Sequence, residues 1–148
     1  MIRKRAHLEL PVEQVRGVFV DTDRWPAWMP GVSGVRTLRT SSGYRLLEVR
    51  QTHYGYTFVQ TLECHELGSI LRHRQHEGWF AKFEAEWAFE PDAAGRGTVL
   101  TAAVDFSMGR LALLSPRPLV EIWMGNHTEK TIAEARRRAE RLGGHGPC

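Results

Sequence analysis

The sequence predicts an α+β domain in which a curved antiparallel sheet wraps a long C-terminal helix. Three observations carry this. Between Ser41 and Met108 short runs of alternating polar and apolar residues follow one another, each bounded by a turn cluster. Beyond Ser115 the pattern switches to the period of a single long helix. Two shorter helical patterns fill the stretch between the first strand and the second. At 148 residues the chain has the length of one domain with a real core, and residues 1–142 are assigned to it.

The elements follow in order. Ile2 to Leu10 alternates as a strand, with Ile2, Lys4, Ala6, Leu8 and Leu10 on one face. Pro11 ends it and suits a helix start, where its missing N–H would be unpaired anyway. Val15, Val18 and Phe19 recur at helical spacing, and a second short helix is expected over Asp23 to Met29, after the N-cap candidates Asp21, Thr22 and Asp23. Pro30-Gly31 closes it. Strands are then expected over Val32 to Thr40, Tyr44 to His53, Tyr56 to Glu66, Ile70 to His76, Phe80 to Glu90 and Thr98 to Met108. The short turns between them imply an antiparallel meander. Leu119 to Leu142 forms the last helix, with Val120, Met124, Thr128, Thr131, Ile132, Ala135, Ala139 and Leu142 on one side and Trp123 and His127 flanking it. Gly143-Gly144 is expected to stop this helix and leave residues 143–148 as a disordered tail.

Period-two bookkeeping assigns the inner face. Phe80 to Glu90 is the clearest case, setting Ala81, Phe83, Ala85, Trp87 and Phe89 against Lys82, Glu84, Glu86, Ala88 and Glu90. The same reading turns Leu100 to Met108 inward at every second residue and brings in Leu47, Val49, Phe58, Leu62, Cys64 and Leu71. It also places Gln51, His53, Gln60, His73 and Gln75 on the inner face, and no carboxylate. A buried amide without a partner costs roughly 1–3 kcal/mol. These five groups must therefore either bond one another in a closed network or line a cavity.

Composition excludes some functions. The formal net charge of +3 is small, and Arg136, Arg137, Arg138 and Arg141 gather only at the end of the last helix, interleaved with Glu134 and Glu140. That pattern fits a solvated helix terminus rather than a nucleic-acid surface. No apolar run approaches the ~20 residues that span a bilayer. Glu9, Pro11 and Glu13 interrupt what a signal peptide would need as its apolar segment, so a cytoplasmic location is expected. Cys64 and Cys148 have no metal-ligand spacing and are expected as free thiols. Phosphate loops, a nucleophile elbow and a zinc-protease helix are missing from the sequence. His73 and His76 fall on opposite faces of their strand, so neither metal nor cofactor is expected.

Several motifs resemble one superfamily. They are Trp25-Pro26-x-Trp28-x-Pro30 after an amphipathic helix, Gly78-Trp79-Phe80 leading to Trp87-x-Phe89-x-Pro91, then Gly97-Thr98 and Val104-Asp105-Phe106. Their order is similar to that of the START-like, helix-grip proteins, known as SRPBCC proteins and related to the birch pollen allergen. The resemblance covers residues 2–142. Within the superfamily it is nearest to the polyketide cyclase/dehydrase group and the coenzyme Q-binding START-like proteins. It implies a seven-stranded antiparallel sheet gripping the last helix around an apolar tunnel. It leaves function open, because the fold hosts aromatase/cyclases, lipid carriers, hormone receptors and hydrolases.

The resemblance also implies a test of chemistry. Polyketide cyclases of the family carry a pocket arginine that polarises substrate carbonyls, and its matching position here is Leu62, with Gln60 at a neighbouring hydroxyl position. Catalysis would then fall to His73 or His53 as general acid/base, with Gln51, Gln60 and Gln75 hydrogen-bonding carbonyl or enolate oxygens. The competing role for His73 is a core histidine bonded to backbone, and for His53 a rim position beside its turn. Phe58, Leu62, Phe83, Trp87 and Phe106 would form the apolar wall, Trp28 a lid, and Trp123, Met124 and His127 the closing helix face. Two functions remain open at this point. One is a cyclase/dehydratase acting on a polyketide-like intermediate, free or bound to a carrier protein. The other is a non-catalytic lipid or quinone carrier. A monomer or a homodimer fits either.

Overall fold

The structure, a computed structural model, describes residues 1–143. Strand β1 (Ile2–Leu8) alternates as expected, reaching the core at Leu8. It stops before Leu10 because Pro11 is the N-cap of helix α1 (Val12–Val20). That helix buries Val15, Val18 and Phe19. The second helix is shorter than expected. A 3₁₀ turn over Thr22–Arg24 leads into α2 (Trp25–Trp28), whose first turn holds Pro26, and the Asp21 side chain makes no capping bond. With Pro26 and Pro30 so close, there is room for only one turn.

Six further strands follow: β2 (Val32–Ser41), β3 (Tyr44–His53), β4 (Tyr56–Leu67), β5 (Ile70–Glu77), β6 (Lys82–Pro91) and β7 (Thr98–Ser107). They form one seven-stranded antiparallel sheet in the order β1-β7-β6-β5-β4-β3-β2. Neighbours in sequence are neighbours in the sheet, and β1 closes onto β7. At the β3–β4 hairpin both turn residues, Tyr54 and Gly55, take positive φ, which suits a tight two-residue turn. The strand expected from Phe80 begins only at Lys82. Ala81 is exposed as a result, and Phe80 lies in the bend before the strand, free of its alternation.

Helix α3 (Arg117–Gly143) lies across the sheet and buries Val120, Met124, Thr128, Thr131, Ile132, Ala135 and Ala139. Leu142, expected on that stripe, is instead exposed at the helix end, and Gly143 belongs to the helix rather than to a tail. The remainder of the expected tail, residues 144–148, lies outside the described residues. No helix among the described residues is long and apolar enough to cross a membrane.

One fully buried part of the core lies where α1, the last turns of α3 and strands β1, β6 and β7 meet. Leu8, Phe19, Phe89, Leu100, Ala135 and Ala139 have essentially no exposed surface. Alanines let α3 come close there, and the Gln14 amide on α1 donates to the Ala139 carbonyl at 2.8 Å. Towards its N-terminus the same helix presents larger side chains, and a space opens between it and the sheet.

Candidate functional site: a cavity under the sheet

The space is a cavity of about 150 Å³ between the concave face of the sheet and α3. A single buried water needs only roughly 10–15 Å³, so this one is sized for a small organic molecule. The wall is mostly apolar. Phe58 and Leu62 come from β4, Phe83, Ala85 and Trp87 from β6, and Trp123 and Met124 from α3. One strip of it is polar, made by Gln51 and His53 on β3, Gln60 on β4 and His73 on β5, with His127 opposite on α3. Among the described residues no Asp, Glu, Lys or Arg lines it.

Register explains the strip. Val49 pairs with Gln60 and Gln51 with Phe58, which makes the two glutamines diagonal neighbours on one face. A bulge between Thr61 and Leu62 sets Leu62 opposite Gln75. The Nε2 of Gln51 donates to Oε1 of Gln60 at 3.3 Å, and the Nε2 of Gln60 donates to Oε1 of Gln75 at 3.0 Å. Gln75 in turn donates to the Phe80 carbonyl at 2.7 Å, and His53 Nε2 lies 2.9 Å from Oε1 of Gln51. The two alternatives left open by the sequence therefore coexist, since the three amides bond one another while Gln51 and Gln60 still line a cavity.

The histidines differ in setting. His73 pairs with Cys64 and Ala85 in the middle of the sheet and its ring sits 5.1 Å from that of Trp25. Burial holds its imidazole at about 4, so it is neutral at pH 7. His53 is half-buried at the cavity mouth, where burial also lowers its pKa. It meets Trp123 edge-on at 4.8 Å, and Trp123 stacks on His127 at 4.8 Å. Burial, with the charges of His53 and Lys130 adding to it, holds His127 at about 4. These three rings separate the cavity from an outer groove lined by Gly31, Tyr54, Leu119, Ile122 and Lys130. Gly31 has φ 78°, and a Cβ on it would stand 2.1 Å from Cε1 of His53, so the ring can occupy the mouth only beneath a glycine.

Three residues expected on the wall are elsewhere. Trp28 turns away from the cavity and packs edge-on against Phe19 at 5.3 Å, leaving its buried indole N–H without a partner. Phe106 is screened by Phe80, 5.5 Å away, and carries the Arg117 guanidinium over its ring. Gln75 is drawn back from the wall by its bonds to the Phe80 backbone. Others line the cavity without having been expected. Trp25 and Met29 come from the α2 segment, Trp79 and Phe80 from the bend before β6, Leu111 from the turn before α3, and Thr128 and Thr131 from α3. The Trp-Pro-x-Trp motif pointed to the first of these regions, but a single helical turn does not reveal which indole faces in.

An antiparallel sheet gripping a terminal helix over a ligand-sized, apolar-walled hollow defines the class of helix-grip proteins. Residues 8–121 match the profile of the family described as polyketide cyclase / dehydrase and lipid transport, and the chain belongs to that family. The fold is similar to that of a START superfamily protein from Mycobacterium smegmatis, at 21% identity and TM-score 0.84, covering 95% of this chain and 97% of that one. It is similar also to the Zhui aromatase/cyclase from Streptomyces sp. R1128, at 16% identity and TM-score 0.82, covering 95% and 93%. A STAR-related lipid transfer protein from Xanthomonas axonopodis matches at 17% identity and TM-score 0.70, covering 93% and 84%. No curated protein sequence is similar enough to this chain to count as a match.

Proposed function

We propose that the chain binds a hydrophobic, polycyclic or polyketide-like molecule in this cavity and promotes its cyclisation or dehydration. The observation that carries this is the uncharged polar strip on the sheet side of a mostly apolar hollow. The apolar walls would hold a reactive chain folded in a near-attack shape. Neutral His73 and the free N–H groups of Gln51 and Gln60 would donate hydrogen bonds to carbonyl or enolate oxygens as charge develops on them. An imidazole that stays neutral at pH 7 suits that role better than it suits proton storage. His53, nearer the solvent and less buried, is the better acceptor of a proton leaving the substrate.

One observation favours a second reading, a carrier of a lipid or quinone. Leu62 stands where the family resemblance leads one to expect an arginine, and no cation replaces it on the wall. A substrate delivered by a carrier protein, and a monomeric or dimeric state, are compatible with both readings.

Native mass spectrometry of protein purified from its own host should first show a bound small molecule and give its class. With that molecule or its precursor, His73→Phe should lower turnover about 100-fold while affinity changes little. Equal losses of binding and turnover, or no turnover in the wild type, would leave the carrier.

A further inference from the structure

We propose that Gln51, Gln60 and Gln75 form a one-directional hydrogen-bond relay, anchored on the Phe80 backbone, that fixes His53 as the tautomer with hydrogen on Nε2 and a lone pair on Nδ1. The glutamines are positioning residues, because they act on His53 rather than on a ligand.

The direction follows from a group that cannot change its character. The Phe80 carbonyl only accepts and the Phe80 N–H only donates, and Gln75 meets both, at 2.7 and 3.4 Å. One orientation of the Gln75 amide satisfies the pair, and it turns Oε1 towards Gln60. Gln60 must then present Nε2 to Gln75, at 3.0 Å, and Oε1 to Gln51. Gln51 must present Nε2 to Gln60, at 3.3 Å, and Oε1 to His53. His53 Nε2, 2.9 Å from that oxygen, must carry the hydrogen. The opposite tautomer would set two lone pairs face to face.

Both ends of the relay are fitted by glycines. A Cβ on Gly78 would lie 2.3 Å from Oε1 of Gln75, and a Cβ on Gly31 would lie 2.1 Å from His53 Cε1. The sequence therefore keeps space open at the anchor and at the ring it controls. The consequence is that the proton-accepting atom at the cavity mouth is Nδ1 of His53, chosen by a backbone peptide three side chains away. The relay belongs to the site of the proposed function but needs no ligand and no turnover, so it can fail while that reading stands, and the reverse.

The test is a long-range ¹H–¹⁵N spectrum of the imidazoles in the free, full-length protein above pH 7, with the His53 signals identified by their loss in His53→Phe. The wild type should show His53 protonated predominantly on Nε2, with a minor Nδ1–H population. Gln75→Leu and Gln60→Leu, which replace residues that do not hydrogen-bond to the ring, should each raise the Nδ1–H population about fivefold, the change carried by one net hydrogen bond. Gln75→Glu should keep the wild-type signature, because a carboxyl oxygen still accepts from Gln60 and from the Phe80 N–H. A wild-type His53 protonated on Nδ1 overturns the relay without any variant. So does an unchanged tautomer ratio in whichever leucine variant folds, or an equal shift in Gln75→Glu.

Discussion

The two halves of helix α3 meet the same sheet in opposite ways. Its C-terminal half brings Ala135 and Ala139 against α1 and the β1–β7–β6 side, where both alanines are fully buried. Its N-terminal half brings Trp123, Met124, His127, Thr128 and Thr131 over β3 to β6, and a cavity remains. Side-chain size alone accounts for part of this. Small residues draw the helix down at one end, and bulky ones prop it off the sheet at the other. The polar strip accounts for the rest, because amides that bond one another cannot collapse onto an apolar face without losing partners. One end of the molecule thus holds the fold, and the other is left free to hold a ligand.

The largest expected effect separates the halves by stability. Phe89→Ala, in the solid end, should cost about 3–5 kcal/mol, whereas Phe58→Ala, on a wall that already faces empty space, should cost less than about 2 kcal/mol. Urea unfolding of the two variants measures the difference, and equal costs would mean that the cavity end is packed like the core.

Next in size is the response to acid. The unfolded chain protonates His73 near 6.5, but the folded chain does not do so until about 4. Protons therefore favour the unfolded state in this window. The contribution is fully retained above pH 6.5 and is lost as pH falls towards 4, by on the order of 3 kcal/mol for this residue. His127 adds to the same slope. His73→Phe should flatten the dependence in denaturant titrations between pH 7 and 4, and an unchanged slope would mean that the ring is wetter than its position implies.

The smallest effect sharpens the contrast with the surface. Lys4 and Glu129 pair at 2.7 Å across the exposed surface between β1 and α3. Glu129→Gln should change unfolding free energy by less than about 1 kcal/mol, since exposed pairs contribute little.

Strand alternation made most of this legible in the sequence. β3, β4 and β6 each keep an apolar face against a more polar one despite exceptions such as Leu46 and Val59, so Gln51, His53, Gln60, Phe83 and Trp87 could be turned inward from spacing alone. The pattern fails where the backbone leaves the strand. Phe80 sits in a bend where alternation assigns no face, and it turns into the cavity, displacing Phe106 from the wall and pulling Gln75 back. Trp25 lines the cavity where Trp28 was expected, because α2 is one turn long, too short for a periodicity to set its facing side. The bonds among the glutamines were equally hidden, since they depend on diagonal register and a bulge rather than on any single residue.

The most direct test is a fluorescence titration of the protein with a soluble hydroxyanthraquinone, read by quenching of the cavity tryptophans Trp25, Trp79, Trp87 and Trp123. The wild type should bind at one saturable site. Ala85→Leu, which adds bulk beside His73 inside the cavity, should weaken binding at least about tenfold, a factor towards the lower end of the roughly 1–3 kcal/mol cost of overpacking a filled space, without lowering thermal stability. Non-saturating quenching, or equal affinity in the two proteins, would contradict a ligand-sized hollow beneath the sheet.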